Sequence, residues 1–169
     1  MMRFGPCLAA AFLALAACSP DETASRPKPL EPDANAIAYF CHMSLPEHEG
    51  PKGQLFLRGQ DKPIWFASIH EVFTYLEIEL TQPHDLLAVY VNDMAQGSWE
   101  RPAPGAWLEA EKAVYVIGSS KTGSMGGQEA VPFSGREAAA AFVKEFGGEI
   151  VDFAAARKAL AVEPTPGGS

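Results

Sequence analysis

Residues 54–91 read QLFLRGQDKPIWFASIHEVFTYLEIELTQPHDLLAVYV, and this stretch decides the fold class. Two short apolar runs, Gln54 to Leu57 and Ile64 to Phe66, flank a turn-rich segment and predict two strands. Leu86 to Val91 is a third, near-continuous apolar run of strand length. The stretch between the second and third runs has a different period, which predicts a helix there.

The predicted helix is the amphipathic stretch Ser68 to Leu76. Ser68 and Glu71 stand three residues apart, which is the spacing of a capping box at a helix N-terminus. Apolar residues then recur at helical spacing at Ile69, Val72, Phe73 and Leu76. Residues 54–91 therefore predict the order strand, strand, helix, strand.

A second segment has a similar layout. Trp107 to Ala110 and Ala113 to Ile117 predict strands, and the glycine-rich loop Gly118 to Gly127 follows them. Gly135 to Phe146 is predicted to be helical, and Glu149 to Phe153 returns as a strand. The similarity lies in the order of elements rather than in the residues.

The second helix has recognisable ends. Ser134 and Glu137 form a second capping-box pattern, and Gly147-Gly148 is a stop signal. We therefore predict an α+β fold of two ββαβ halves that arose by internal duplication, each with a small antiparallel or mixed sheet packed on a helix.

The first residues have the features of an export signal. Arg3 provides a positive charge, and the uncharged apolar run Cys7 to Leu15 is too short to span a bilayer. It ends in Leu15-Ala16-Ala17-Cys18, which resembles a bacterial lipobox. We predict a signal peptide at residues 1–17 and lipidation of Cys18; a plain secretory peptide cleaved near Ala17 is the alternative.

Lipidation predicts a periplasmic protein anchored to a membrane. Two or more acyl chains on Cys18 anchor a protein stably, whereas one does not. Ser19 follows the cysteine in place of the Asp that would suggest inner-membrane retention, which favours the outer membrane. The predicted segments are residues 1–17 (signal peptide), 18–35 (lipidated, Pro-rich flexible tether), 36–100 (first half), 101–157 (second half) and 158–169 (disordered tail).

Composition limits the possible functions. The formal net charge of −8 argues against nucleic-acid binding, which requires Lys and Arg contacts to phosphate. Neither a Cys-x-x-Cys or His-Glu-x-x-His zinc pattern nor a Gly-x-Ser-x-Gly elbow is present. The chain is therefore not predicted to be an enzyme, although Cys41 with a His base is a conceivable nucleophile.

The chain has three cysteines, and only one of them would remain a free thiol. Cleavage removes Cys7 and lipidation blocks Cys18, so Cys41 has no disulfide partner. A lone thiol in an oxidising compartment is a hazard unless it is buried or bound to a metal. A buried structural cysteine is one interpretation, and a metal ligand is the other.

The neighbours of Cys41 favour the metal. Cys41-His42-Met43 combines a thiol, an imidazole and a thioether, and soft sulfur ligands select Cu(I). In an extended segment Cys41 and Met43 would share a face and His42 would point away. His48, across a predicted turn at Pro46 to Gly50, could fold back as a third donor. Alternatively, Met43 is a core side chain and both histidines are solvated.

Other candidates lie further along the chain. Met125 sits in a Gly- and Ser-rich loop, where its thioether could close over a metal or could simply fill a gap. Asn92-Asp93 is typical turn chemistry, with Met94 as a possible secondary thioether. His70 and His84 have no metal-ligand spacing to each other and are interpreted as solvated or capping residues.

The motifs taken together resemble the nitrous oxide reductase accessory lipoprotein family, NosL, over Cys41 to about Phe153. The matching pieces are Cys41-His42-Met43, Gly50-Pro51-Lys52-Gly53-Gln54, Pro63-Ile64-Trp65-Phe66, Tyr90-Val91-Asn92-Asp93-Met94, Trp107, Tyr115-Val116-Ile117-Gly118-Ser119 and Met125-Gly126-Gly127-Gln128-Glu129-Ala130-Val131-Pro132-Phe133. Each piece is weak alone, whereas the ordered set is specific.

The resemblance implies a periplasmic lipoprotein that binds Cu(I) and passes it to apo nitrous oxide reductase, assisted by an ABC-type membrane complex. It implies two ββαβ halves and places the family's Cys-x-Met metal motif on Cys41 and Met43. It also suggests the loop methionine at Met125 and a His donor at His48. His42 is a departure, since the family often has a small residue such as Gly there. A periplasmic thiol or redox protein using Cys41 and a metal-free docking scaffold are the alternative functions.

Overall fold

The computed structural model describes residues 26–160, except for the side chain of Met125. The strands are β1 (Gly53–Leu57), β2 (Ile64–Phe66), β3 (Leu86–Asn92), β4 (Trp107–Glu109), β5 (Val114–Ile117), β6 (Val131–Phe133) and β7 (Glu149–Val151). The helices are α1 (Ile69–Thr74), α2 (Arg136–Phe146) and α3 (Phe153–Leu160), with a π-helical turn at Tyr75–Glu79 and 3-10 turns at Leu45–Glu47, Pro83–Asp85, Ala110–Lys112 and Ser124–Gly126. The predicted signal peptide and Cys18 lie outside the described residues. None of the helices between residues 26 and 160 combines the length and apolar character needed to cross a membrane.

The strands form two antiparallel sheets, with the orders β2-β1-β3-β4 and β6-β5-β7. In each sheet the first strand of a β-β-α-β unit is central and pairs with the other two. Gln54 of β1 thus faces Trp65 and Tyr90, just as Tyr115 of β5 faces Pro132 and Val151. The α+β class and the two small sheets are confirmed; the duplication itself stays a prediction.

Two strand assignments in the second half are corrected. Trp107–Glu109, predicted to belong to the second half, is β4 and pairs with β3 of the first sheet. The second strand of the second half is instead β6, Val131–Phe133, which the sequence pattern did not reveal. Pro132 lacks an N–H donor, and β6 tolerates it because this strand lies at a sheet edge.

The C-terminal region is also corrected. Phe153, predicted to end a strand, begins α3, and the helix continues to Leu160 inside the segment predicted as a disordered tail from residue 158. Ala156 and Leu160 are buried in the main core. Burial of this face against the core stabilises a helix too short to persist alone.

The predicted helix ends are partly confirmed. Ser68 Oγ accepts a hydrogen bond from the Glu71 N–H at 3.1 Å, and Glu71 Oε2 accepts one from the Ala67 N–H at 2.9 Å. Gly147 ends α2 with φ 74°. The second capping box is wrong, because the N-cap of α2 is Gly135 and has no side-chain hydrogen bond.

One core joins the halves. The rings of Phe73 (α1), Tyr115 (β5) and Phe153 (α3) pack with centroids 5.6–6.2 Å apart. Successive side chains of β5 point to opposite faces of the sheet. Tyr115 faces this core, whereas Val116 packs in the cluster beside α2. Both faces of the second sheet are therefore covered, one by α2 and the other by the shared core.

The described part of the predicted flexible tether, residues 26–35, contacts the first sheet. The Leu30 backbone exchanges two hydrogen bonds with the Gln54 side chain, at 2.9 and 3.0 Å. Glu31 Oε1 accepts a hydrogen bond from Trp107 Nε1 at 2.7 Å. These contacts correct the prediction of a flexible tether for residues 26–35. Polar side chains of the first sheet, including the fully buried Gln54, hydrogen-bond this segment.

Asp93 is a buried residue whose hydrogen bonds link the two halves. It is 2% exposed. Its Oδ1 accepts hydrogen bonds from the Ala95 and Ser134 N–H groups, each at 3.0 Å, and its Oδ2 accepts one from Gln96 Nε2 at 3.1 Å. Burial acts to raise the pKa of Asp93, but the hydrogen bonds from Ser134, Gln96 and Ala95 outweigh it, and the pKa is lowered. The turn interpretation of Asn92-Asp93 is confirmed.

Glu129 is a second buried residue whose hydrogen bonds link the two halves. It is 2% exposed, and its Oε1 accepts hydrogen bonds from the Ile69, His70 and Ala130 N–H groups at 3.0, 3.2 and 2.9 Å. Burial raises its pKa to about 8, against the effect of these donors. A Cβ at Gly123 would lie 2.5 Å from Glu129 Oε2, so the loop backbone packs closely against this carboxyl group and a side chain at residue 123 would displace one of them. This close approach attaches the loop that carries Met125 to the start of α1.

We predict that Asp93→Ala lowers the free energy of unfolding by about 2–3 kcal/mol, because two backbone N–H groups lose their acceptor. Asp33→Ala is the matched control: Asp33 is exposed and makes a comparable local bond to the Asn35 N–H, so its loss is expected to cost less than about 0.5 kcal/mol. Urea unfolding of both variants tests this. Equal losses would show that Asp93 does not join the halves.

The raised pKa of Glu129 leads us to predict that the stability of the fold depends on pH. A carboxyl group whose folded pKa is raised from 4.5 to about 8 keeps its proton when the unfolded chain has lost it. The contribution of Glu129 to the free energy of unfolding therefore falls by about 3 kcal/mol as the pH rises from about 5 to 8. Glu129→Gln, which cannot ionise, should remove this decline from the wild-type curve. Urea unfolding at both pH values measures it, with the exposed Glu137→Gln as control, and an unchanged curve in Glu129→Gln would contradict it.

Candidate metal site

The Cys-x-Met motif lies in a tight hairpin, residues 36–44, called here the Cys41 hairpin. The Ala38 N–H donates to the Met43 carbonyl at 3.0 Å, which closes the hairpin. The Tyr39 N–H donates to the Trp65 carbonyl at 2.8 Å and attaches the hairpin to edge strand β2. The motif is thus placed at the edge of the first sheet.

The local conformation differs from the expected extended segment. Residues 39–41 form a turn, and His42 has φ 56°, the one positive φ at a non-glycine residue within 26–160. Residues in a turn do not alternate between two faces as in a strand. The side chains of Cys41 and Met43 are therefore arranged by the turn rather than by period-two spacing.

The hairpin brings Cys41 close to His48. Cys41 is half-buried against the small cluster around Leu45, which is fully buried. The 3-10 turn Leu45–Glu47 then reverses the chain, and the His48 N–H donates to the Leu45 carbonyl at 3.2 Å. As a result Cys41 Sγ and His48 Nε2 lie 3.5 Å apart. The predicted folding back of His48 towards Cys41 is seen in this contact.

The second half of the chain supplies a further neighbour of His48. Ser124 Oγ lies 3.0 Å from His48 Nδ1, across 76 residues of sequence. Ser124 begins the 3-10 turn Ser124–Gly126, and the loop around it is closed by a hydrogen bond from the Gly123 N–H to the Gly127 carbonyl at 2.9 Å. The backbone of Met125 is therefore next to the residue that contacts His48; its side chain lies outside the described part.

The electrostatic surroundings favour a neutral His48 ring. Burial, followed by the charge of nearby Lys52, lowers the pKa of His48. Burial also lowers the pKa of Lys52 to about 8, while its Nζ donates to the carbonyls of Glu49 and Gly50 at 3.0 and 2.5 Å. A neutral imidazole has one nitrogen lone pair free to bind a metal ion.

The surface around the hairpin is apolar. Met43 is 46% exposed, so it is not a core side chain. Three more large apolar residues of the hairpin are exposed, namely Ile37, Tyr39 and Phe40. A group of exposed apolar side chains of this kind is typical of an interaction site. A metal held here would be accessible to a partner protein.

The remaining candidates are Met94, His84 and His70, of which His70 lies beside the loop that carries Met125. Met94 packs in the hydrophobic cluster of the second half, which excludes it as a thioether ligand beside Cys41. His84 is exposed on its 3-10 turn, 3.5 Å from Asp85. His70 is on α1, where a Cβ at Gly127 would lie 3.8 Å from its Nδ1. In the part of the chain that the structure describes, no three His, Cys, Asp or Glu side chains gather as a metal site.

Three residues near the site were not predicted to have roles. Ser124 contacts His48, Lys52 lies behind it and Glu129 attaches the loop to α1. Each has a glycine within two residues in sequence, which is a weak signal of close backbone approach. Ser124 and Glu129 contact residues 76 and 60 positions away, so these two contacts could not be read from local patterns.

Comparison with known proteins gives a consistent result. Residues 29–161 match the family model NosL. The chain is 39% identical over 164 residues to the copper-binding lipoprotein NosL of Achromobacter cycloclastes, covering 96% of this chain and 84% of that protein. It is 33% identical over 129 residues to the copper-binding lipoprotein NosL of Stutzerimonas stutzeri, covering 74% and 64% respectively.

A solved structure shares the fold. The crystal structure of the copper chaperone NosL from Shewanella denitrificans aligns with a TM-score of 0.69 at 32% identity, covering 76% of this chain and 95% of that one. The family model covers most of the chain, and the sequence and structural matches agree with it. The chain therefore belongs to the NosL family.

Proposed function

We propose that this chain is a lipid-anchored periplasmic chaperone that binds Cu(I) and delivers it for assembly of nitrous oxide reductase. The observation that carries the proposal is the 3.5 Å contact between Cys41 Sγ and His48 Nε2 in a member of the NosL family. The ligands are Cys41, Met43 and His48, with Met125 closing from the loop. Relatives at 39% and 33% identity are named copper-binding lipoproteins, which supports both the metal and the anchor.

The site suits a cargo ion. Thiolate, thioether and neutral imidazole are ligands that Cu(I) accepts, whereas Mg²⁺ and Ca²⁺ require oxygen. The exposed Met43 is the ligand from which a partner's donor could take over the ion. Half-buried Cys41 and His48 would hold the ion until that exchange, which proceeds by replacement of ligands and not by redox change.

The apolar residues of the Cys41 hairpin support docking of partners beside the metal. The partners we propose are apo nitrous oxide reductase and an ABC-type membrane complex. The anchor is a lipid on Cys18, with the outer membrane as the sorting address. Copper transfer tests the partners: loaded chain mixed with apo reductase should lose copper as the reductase gains it, while Phe40→Ser should slow the transfer without weakening copper binding.

A thiol enzyme is the alternative that the geometry also allows, since Cys41 and His48 lie as a nucleophile and base would. It predicts turnover without metal. A metal-free docking scaffold predicts that no copper binds and that Cys41→Ser leaves partner binding unchanged. The relatives are named for copper binding, and the solved one as a copper chaperone, which favours the chaperone.

We predict that Cys41→Ser lowers Cu(I) affinity by at least about 100-fold, because loss of a supporting residue alone can cost 10–100-fold. The test is anaerobic Cu(I) titration of the chain lacking residues 1–18, in competition with a chromophoric chelator. His84→Ala is the control and should bind as wild type, because His84 is exposed and its ring lies 3.5 Å from Asp85. Unchanged uptake by Cys41→Ser would refute the site.

We also predict that Met125→Leu weakens Cu(I) binding by about tenfold with little effect on stability. Met94→Leu is the matched control, since the same change in the hydrophobic cluster should leave copper binding unaltered. Chelator competition and thermal unfolding of both variants separate the two effects. An unfolded Met125→Leu protein would show that Met125 is a core residue instead.

A further inference from the structure

The His48 ring has a neighbour at each nitrogen. Nε2 lies 3.5 Å from Cys41 Sγ, and Nδ1 lies 3.0 Å from Ser124 Oγ. The two neighbours come from different halves of the molecule. Each nitrogen of a neutral imidazole is either a donor or an acceptor, so a partner that settles the role of one nitrogen also settles that of the other.

A serine hydroxyl allows two arrangements. If Nδ1–H donates to Ser124 Oγ, Nε2 has a lone pair directed at Cys41. If the Ser124 hydroxyl donates to Nδ1, then Nε2 carries the proton and presents N–H to the sulfur. Only the first arrangement leaves Nε2 able to bind a cation, and metal-binding histidines commonly donate their other N–H to a nearby acceptor.

We propose that Ser124 is a positioning residue that accepts the Nδ1–H of His48 and thereby directs the Nε2 lone pair at Cys41 before any metal arrives. The inference rests on the proposed copper site, which it deepens.

The same hydrogen bond connects the loop to the hairpin. Ser124 is adjacent to Met125, and the loop is held at its other end by Glu129, which accepts hydrogen bonds from the Ile69 and His70 N–H groups at the start of α1. The loop backbone is thus attached at two points, one on each side of residue 125. The contact that orients the imidazole therefore also sets where residue 125 lies relative to Cys41.

The tautomer of His48 can be measured without copper. The full chain with 15N-labelled histidine, reduced and metal-free in detergent micelles at pH 8, gives ring nitrogen shifts for four histidines. We expect the wild type to carry the proton on Nδ1. Ser124→Ala should move it to Nε2, while Ser124→Thr, which keeps the hydroxyl, should retain it on Nδ1. The exposed His84 is an internal reference that should not change.

A purely structural role for Ser124 would alter stability but not the tautomer. An Nε2–H wild type overturns the proposal whether or not the variants fold, as does an unchanged tautomer in folded Ser124→Ala. A Cu(I) titration is the second readout: Ser124→Ala should weaken binding by about 10–100-fold and Ser124→Thr by much less. If even the wild type binds no copper, the proposed function fails, while the tautomer still reports on the positioning.

Discussion

A buried carboxyl group of the second half closes the first turn of a helix in the first half, and the geometry of the candidate site depends on this interaction. Glu129 Oε1 accepts the N–H groups of Ile69 and His70, which have no partner inside the helix. The loop before Glu129 is then brought against α1, with Gly123 giving the room. Ser124 reaches His48 from that loop, and His48 reaches Cys41. Removal of water from Glu129 opposes folding, which is the cost of holding the loop in place.

The elements of the first half could be predicted because their signals are local. Strand β2 begins and ends where the apolar run Ile64 to Phe66 places it, and Ser68 caps α1 as its spacing to Glu71 indicates. The pairing of the strands could not be predicted, because the residue pattern of a strand does not identify the strand beside it in the sheet. Trp107–Glu109 therefore joined the first sheet instead of the second. Ser134 had a capping pattern, but its N–H is bound by Asp93, a tertiary contact that outweighs the local one.

The residues of the candidate site divide in the same way, into those that local sequence predicts and those that only tertiary contacts reveal. The chemistry of Cys41, Met43 and His48 follows from residue types and a short turn. The contributions of Ser124 and Glu129 require contacts 76 and 60 residues apart, which no local pattern contains. His42 is intermediate: its φ of 56° is a conformation that glycine adopts without strain, which is consistent with the small residue that the resemblance leads us to expect there. A histidine at that position costs about 1–2 kcal/mol, so its imidazole is kept at the expense of stability.

The attachment of the N-terminal segment to the first sheet limits how far the domain can move. Leu30 and Glu31 are bound to Gln54 and Trp107, and Arg26 is paired with Glu109 at 2.6 Å. Only eight peptide units separate Cys18 from Arg26. However those residues are arranged, they span at most about 28 Å. With a lipid on Cys18, the domain would stay within a thin layer above the bilayer that holds the anchor, and its diffusion would be confined to two dimensions.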